Sequence, residues 1–174
     1  YYSIYGGHIM ISLEIKDTKT FMSHLLIKDS FNSMLLSEAE LAMANSYTIQ
    51  GKINRSFYTD EEYESLSNKD YSLWEDIKPF CYSLVKGSRV PASMKIIFKA
   101  SLQVTEDVIN SSDTSLTADD VEGLYINIRY RDSRLNLVTG ISLNSFSLDK
   151  GVEHSFDRYV KTVLDQLNIS YEEM

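Results

Sequence analysis

The hydrophobic pattern of the chain opens with alternation. Apolar and polar residues alternate through ISLEI at residues 11–15 and again from Met94 to Val104, which is typical of strands that bury one face. A third alternating region, residues 124–137, is interrupted by the stretch Arg131-Asp132-Ser133, and it predicts a hairpin with its turn at these three residues. These regions together predict four strands.

Residues 33–58 fit two patterns. Their Ala, Met, Glu and Leu content favours a helix by propensity, whereas the apolar residues of the first half also keep an alternating face. The second half brings the aromatic and β-branched residues that strands prefer, around a possible turn at Gln50-Gly51. These residues are Tyr47, Ile49, Ile53 and Phe57. We therefore predict strands here.

Apolar residues at three- and four-residue spacing predict three longer helices. One begins at a capping residue, Asp17 or Thr18, and ends near Lys28. Another covers about residues 72–86 and contains Pro79, which predicts a kink or a regular part that starts near the proline. Its inner side is predicted to comprise Trp74, Ile77, Phe80, Cys81, Leu84 and Val85.

The C-terminal helix has the clearest pattern of the chain. Its single apolar face comprises Val152, Phe156, Tyr159, Val160, Val163, Leu164 and Leu167. Asn168 is placed to end it, because asparagine tolerates the left-handed conformation found after many helices. A capping box at Thr59 and Glu62 predicts a further short helix over about residues 60–67.

The order of these elements decides the fold class. A strand, a helix, several strands, a helix, a strand, a hairpin and a helix lack the regular alternation that a parallel sheet requires. We predict a single α+β domain with a largely antiparallel sheet, about three helices on one face and an amphipathic C-terminal helix. A chain of 174 residues is long enough for one sizeable core.

Composition then narrows the class of protein. Hydrophobic residues make up 43% and charged residues 24%, with 7 Gly and 2 Pro, which is the profile of an ordinary folded domain. No apolar stretch approaches the length that spans a bilayer, so no membrane partner is expected. The single cysteine, Cys81, cannot form an internal disulfide, and this favours the cytoplasm. The net charge of −8 opposes nonspecific binding to nucleic acid.

Residues 1–9 precede the amphipathic pattern. The chain starts on Tyr1, and the stretch GGHIM can be encoded by codons that contain a bacterial ribosome-binding sequence at a suitable distance from the codon of Met10. We therefore interpret residues 1–9 as a translated leader or non-native extension and residues 10–174 as the domain. A genuine N-terminal extension is the alternative.

Three segments carry a resemblance to a known family. They are LLSEAELAMANSYTIQGKINRSFY (35–58), WEDIKPFCYSLVKGSRVPASMKI (74–96) and LYINIRYRDSRLNLVTGISLNSFSLDK (124–150). Together they resemble a family of small uncharacterised proteins from clostridial Gram-positive bacteria, classed only as a domain of unknown function. The resemblance covers Met10 to the end of the chain. It implies no catalytic residue, since none is established for the family.

Motif-bearing enzyme chemistry is not indicated, and no catalytic residue, metal or cofactor is predicted. The seven glycines form neither of the phosphate-binding loops, and the H-E-x-x-H, C-x-x-C and G-x-S-x-G motifs do not occur. Cys81 with His24 or His154 would offer a nucleophile and a base, but the position of Cys81 on the apolar side of a helix favours core packing. The carboxylates of residues 119–122 favour a solvated acidic surface over a cation site.

Basic residues concentrate in two segments and form the candidate binding site. The candidate residues are Lys86, Arg89, Lys95, Lys99, Arg129, Tyr130, Arg131 and Arg134. If the helix–strand unit and the hairpin that carry them are neighbours in the sheet, they make one positive patch interleaved with Tyr125 and Tyr130. Such a patch suits phosphate groups or an acidic protein segment. A solvated sheet face is the simpler alternative.

The sequence therefore predicts a cytosolic, non-enzymatic binding or accessory protein whose basic patch meets an anionic partner, either an acidic protein or a nucleic acid. Two alternatives stay open. One is an enzyme without recognisable motifs, with its pocket between the helices and the sheet. The other, by fold analogy alone, is a nucleic-acid accessory factor resembling a DNA sliding clamp.

Overall fold

A computed structural model describes residues 8–87 and 89–174, and their strands form one antiparallel sheet. The strands are β1 (His8–Ile15), β2 (Leu35–Ala42), β3 (Ser46–Gln50), β4 (Ser93–Lys99), β5 (Val121–Arg131), β6 (Arg134–Leu143) and β7 (Tyr171–Glu173). Their order across the sheet is β3-β2-β4-β5-β6-β1-β7. The α-helices are α1 (Thr18–Leu26), α2 (Asp60–Ser65), α3 (Trp74–Val85), α4 (Leu102–Asn110) and α5 (Gly151–Gln166). The predicted α+β class with an antiparallel sheet is confirmed.

One hydrophobic core lies between the sheet and helices α1, α3, α4 and α5. The sheet contributes one side chain in two along each strand, and we call this side the helix face. The indole N–H of Trp74 donates to the carbonyl oxygen of Leu25 at 2.8 Å and so joins the start of α3 to α1. The Trp74 ring also meets the Phe98 ring edge-on at a centroid distance of 5.2 Å. The opposite side of the sheet, the open face, carries the alternate residues, among them Lys95, Asn127 and Arg129.

The C-terminal helix packs as its pattern predicts. Val152, Phe156, Val160 and Leu164 are buried against the sheet, and the remaining apolar residues of the face are partly buried against the same core. Asn168 ends the helix in the left-handed conformation with φ 54°. The prediction that this helix is amphipathic is confirmed.

The strand predicted from Met94 to Val104 is wrong in its second half. β4 ends at Lys99, and the hydroxyl of Ser101 accepts a hydrogen bond from the N–H of Val104 at 3.3 Å to cap α4. A capping hydroxyl satisfies a backbone donor that has no partner inside the helix, and this outweighs the short alternating pattern. Leu102, which a strand would bury, is 68% exposed.

The strand predicted beyond Gly51 is also wrong. Residues 51–73 leave the sheet, and Phe57 is 80% exposed. Gly51 permits this departure because a Cβ there would lie only 1.7 Å from the carbonyl oxygen of Leu36, so the chains pass closer than any side chain allows. The reversal between β2 and β3 occurs earlier, where the N–H of Met43 donates to the carbonyl oxygen of Asn45 at 3.0 Å.

Within the segment of residues 51–73, the predicted capping box is confirmed. The N–H of Glu62 donates to the Thr59 hydroxyl at 3.2 Å, and the Glu62 carboxylate accepts from the N–H of Thr59 at 2.9 Å. The short helix α2 follows directly.

Helix α3 begins at Trp74, five residues before Pro79. Trp74 and Cys81 are buried on its inner side, but Phe80 is 64% exposed, so its predicted place in the core is wrong. Successive helical residues point about 100° apart, and the side that buries Cys81 turns Phe80 outward. Lys78 is buried instead, and its ammonium donates to the carbonyl oxygen of Lys28 at 2.7 Å.

The N-terminal strand is longer than the alternating pattern predicts. β1 begins at His8, and His8 and Ile9 pair with Ile141 and Gly140 of β6. Residues 1–7 of the predicted leader lie outside the described residues, and the boundary at Met10 stays a prediction. No helix in the described part of the chain is long and apolar enough to cross a membrane.

Candidate binding face of the sheet

The strand register gathers most of the predicted basic residues on the open face. Strands β4 and β5 are neighbours, and Lys95 lies directly opposite Arg129. The hairpin places Arg131 opposite Arg134. Since directly opposite residues of paired strands point to the same side, the open face carries Lys95, Lys99, Arg129, Arg131 and Arg134.

The other three candidate residues lie elsewhere. Tyr130 points to the helix face, opposite Met94 of β4, because alternation turns it away from its two arginine neighbours. Lys86 follows the end of α3 and is exposed. Arg89 is exposed as well, and it lines a cavity of about 450 Å³ together with Met22 of α1 and Tyr130.

Lys95 is neutralised by two carboxylates from β2. Its ammonium lies 2.7 Å from Glu38 and 2.8 Å from Glu40. Burial by itself lowers the pKa of Lys95, but the hydrogen bonds to these carboxylates outweigh burial and leave the pKa raised. The pKa of Glu38 is lowered, chiefly by the same hydrogen bond. The positive charge of the open face is therefore concentrated away from β2, towards the β5–β6 turn.

Three guanidinium groups, Arg129, Arg131 and Arg134, form what we call the arginine cluster at that turn. The turn is tight because Asp132 and Ser133 both adopt the left-handed conformation, with φ 51° and 61°. Arg131 and Arg134 are exposed. The nearest carboxylate oxygen to the Arg131 Nε belongs to the exposed Asp132 at 3.7 Å, which is a weak, solvent-screened contact.

A polar pocket of about 470 Å³ lies on the open face beside the arginine cluster. The side chains that define it are Glu38, Tyr71, Glu122, Tyr125, Asn127 and Arg129. Asn127 is only 3% exposed, yet its Nδ2 has no hydrogen-bond partner among the residues that the structure describes. No local sequence pattern indicates this pocket, because Asn127 has the pattern of an ordinary polar residue in an alternating strand and Tyr71 lies far away in the chain.

The Tyr125 side chain forms one wall of the pocket, and its ring lies across Gly123. A Cβ at Gly123 would come within 2.7 Å of the Tyr125 ring, so only glycine leaves room for the ring in this position. Burial, followed by the charge of Glu122, raises the pKa of Tyr125 to about 12. Its hydroxyl therefore stays protonated at neutral pH and can donate a hydrogen bond.

Tyr71 also lines the pocket, and the segment of residues 51–73 holds it in place. The N–H of Ser72 donates to the carbonyl oxygen of Gly51 at 2.9 Å, and the backbones of Lys52 and Tyr71 pair in an isolated antiparallel β-bridge. The Lys99 ammonium lies 5.1 Å from the Tyr71 ring centroid and 5.9 Å from that of Tyr125. The two aromatic walls therefore share one cation.

The thiol considered as a catalytic nucleophile lies in the hydrophobic core. Cys81 is fully buried, and burial raises the pKa of its thiol to about 11, so it is not a thiolate at neutral pH. The His24 Nδ1 lies 2.5 Å from the Ser30 hydroxyl. Among residues 8–87 and 89–174, no three His, Cys, Asp or Glu side chains are grouped as a metal site requires. The cavity between α5 and the sheet measures about 60 Å³ and is mainly apolar.

Comparison with known proteins places the chain in a family without assigning it an activity. No curated protein and no solved structure matches it. The model of a family of unknown function, DUF5721, matches residues 24–172. This stretch includes the arginine cluster and the polar pocket, and the chain belongs to this family.

Proposed function

We propose that this chain is a non-enzymatic binding protein of the cytoplasm whose arginine cluster binds an acidic segment of a partner protein. The observation that carries the proposal is the direct opposition of Arg131 and Arg134 across the hairpin. Like charges in this position destabilise a strand pair. A carboxylate bound between them relieves the repulsion and accepts hydrogen bonds from both guanidinium groups.

The charges around the cluster favour a short acidic segment over a nucleic acid. Glu38 and Glu40 face the same side of the sheet and neutralise Lys95, and Glu14 lies opposite Asn136 on the far side of β6. A nucleic acid presents an extended row of phosphates and needs a continuous basic footprint. The open face offers a basic area bounded by carboxylates on two sides, which suits a few acidic residues of a protein.

The proposal is tested with a fluorescein-labelled oligoglutamate peptide. We expect fluorescence anisotropy to show binding at low salt that weakens as salt rises, because screening weakens exposed charge pairs. The double substitution Arg131→Glu with Arg134→Glu should abolish binding, since it reverses both charges at an exposed turn. The double substitution Lys86→Glu with Arg89→Glu is the matched control, because it makes the same change of net charge at exposed positions outside the open face.

Two results would contradict the proposal. Equal loss of peptide binding in both double variants would show that only the net charge matters. Tighter binding of single-stranded DNA than of the peptide, removed by the same turn substitutions, would make the partner a nucleic acid.

A further inference from the structure

We infer that the polar pocket of the open face is a binding site for a neutral planar heterocycle that carries both hydrogen-bond donors and acceptors, of the nucleoside kind. This inference goes beyond the proposed function. It rests on Asn127, Tyr71 and Tyr125, whereas the proposed partner site rests on Arg131 and Arg134 at the turn.

The first support is an unmet hydrogen-bond donor. Asn127 is 3% exposed and lines the pocket, and within residues 8–87 and 89–174 its Nδ2 has no hydrogen-bond partner. A buried amide without a partner costs stability that a bound acceptor restores. The pocket therefore requires an occupant with an oxygen or ring nitrogen that accepts a hydrogen bond.

A second unmet group lies on the neighbouring strand. The Asn136 Oδ1 is a buried acceptor to which no group in the described part of the chain donates a hydrogen bond. The register sets Asn127 opposite Val138, two residues along β6 from Asn136, and all three residues belong to the open face. Asn136 is not among the side chains that line the pocket, but an occupant that both accepts and donates, such as the amide-like edge of a nucleobase, matches the character of the two unmet groups. A bound water molecule has the same capacity and is the competing occupant.

The walls favour a planar molecule. Tyr125 lies across Gly123, and the backbone bridge to Lys52 helps to hold Tyr71 in the lining of the same pocket. Aromatic rings stack on planar heterocycles without requiring a particular base. The volume of about 470 Å³ falls within the usual range of small-molecule sites.

The charges favour a neutral molecule. Around the pocket, the carboxylates of Glu38, Glu40 and Glu122 are matched in number by the cations of Lys95, Lys99 and Arg129. Glu38 already accepts from Lys95 and, at 2.8 Å, from Gln50. Glu122 accepts a hydrogen bond from the Ser142 hydroxyl. A highly charged ligand would leave some of these charged groups without a partner of opposite sign in a partly buried site.

The experiment titrates the full chain with adenosine, cytidine, guanosine and uridine and follows the backbone amide resonances by NMR. We expect at least one nucleoside to shift the resonances of Asn127, Tyr125 and Tyr71 with a dissociation constant below about 1 mM. Ribose alone should leave these resonances unchanged, because it lacks the planar ring.

Substitutions identify the site. Asn127→Leu removes the unmet donor at similar volume and should weaken nucleoside binding by about tenfold or more, the usual effect of one buried hydrogen bond. Tyr71→Ala serves as the second variant if Asn127→Leu does not fold, and it should weaken binding similarly. Arg131→Glu with Arg134→Glu should leave nucleoside binding unchanged, which separates this site from the proposed partner site.

The inference is overturned if no nucleoside shifts the pocket resonances up to about 10 mM. In that case water is the occupant of the pocket. It is also overturned if Asn127→Leu and Tyr71→Ala both fold and bind the nucleoside as tightly as the unchanged chain does.

Discussion

Asp149 shows how a single carboxylate positions a long connection. Its Oδ2 accepts hydrogen bonds from the Thr114 hydroxyl at 2.7 Å and from the N–H of Ser115 at 2.9 Å, while its Oδ1 accepts from the N–H of Gly151 at 2.8 Å. These bonds, led by that from Gly151, lower the pKa of Asp149 to about 2. The carboxylate thus joins the segment after α4 to the start of α5.

The pH dependence of stability follows from this lowered pKa. An unfolded aspartate titrates near pH 3.9, so the contribution of Asp149 is fully present above about that pH and is lost as the pH falls towards about 2. We expect Asp149→Asn to lower the melting temperature at neutral pH and to flatten its decline over this acidic range. Thermal unfolding of both proteins across the range measures the difference. Parallel curves for the two proteins would show that Asp149 does not titrate as described.

At the scale of elements, hydrogen-bond capping and burial decide where the pattern is ambiguous. The apolar face of α5 is long enough that its pattern fits only a helix. Residues 100–104, in contrast, fit a strand or a helix equally well. Ser101 settles the second case, since its hydroxyl caps the first turn of α4. Val108, beyond the alternating stretch, is buried and keeps that helix packed on the core.

The packing of α5 predicts a strong contrast between its two sides. Phe156 and Leu164 are almost fully buried, so Phe156→Ala or Leu164→Ala should each destabilise the domain by about 2–5 kcal/mol. Lys161→Ala should cost less than about 1 kcal/mol, because it removes only a partly exposed ion pair with Glu173. Urea titration of the three variants measures these values. Similar losses in all three would contradict the packing of α5 described here.

At the scale of the whole molecule, one core joins the helices to one face of the sheet, and the other face lies outside that core. Residues from β1 to α5 contribute to a single buried cluster. Its centre includes Trp74, which contacts Phe98 of β4 and donates to Leu25 of α1. The open face carries the arginine cluster and the polar pocket. We therefore expect substitutions at these two sites to leave the packing of the core unchanged.

A single core predicts cooperative unfolding. Trp74 is the one tryptophan of the chain and is fully buried, so its fluorescence reports on the core directly. We expect the urea transitions followed by Trp74 fluorescence and by far-ultraviolet circular dichroism to coincide, as two-state unfolding requires. A displaced second transition would show that part of the chain folds independently and would contradict the single domain.

More of the fold than of the candidate site could be predicted from the sequence. Five of the eight candidate residues share the open face, because alternation along β4 and β5 already assigns them to one side of their strands. The same alternation places Tyr130 on the helix face, so the prediction that Tyr130 belongs to the basic patch is inconsistent with it. Nothing in the local pattern shows that Glu38 and Glu40 neutralise Lys95, since the residues lie more than fifty positions apart.

The sequence by itself determined the α+β class, the C-terminal helix, the capping box at Thr59 and the hairpin turn at Asp132. Each depends on periodicity or hydrogen bonding among residues close in the chain. Only the tertiary structure decided that β4 lies between β2 and β5, that Tyr71 and Tyr125 line one pocket, and that the buried Asn127 Nδ2 lacks a hydrogen-bond partner among the described residues. The physical reason is that alternation specifies which residues share a face of one strand, whereas strand order and burial depend on contacts between distant segments.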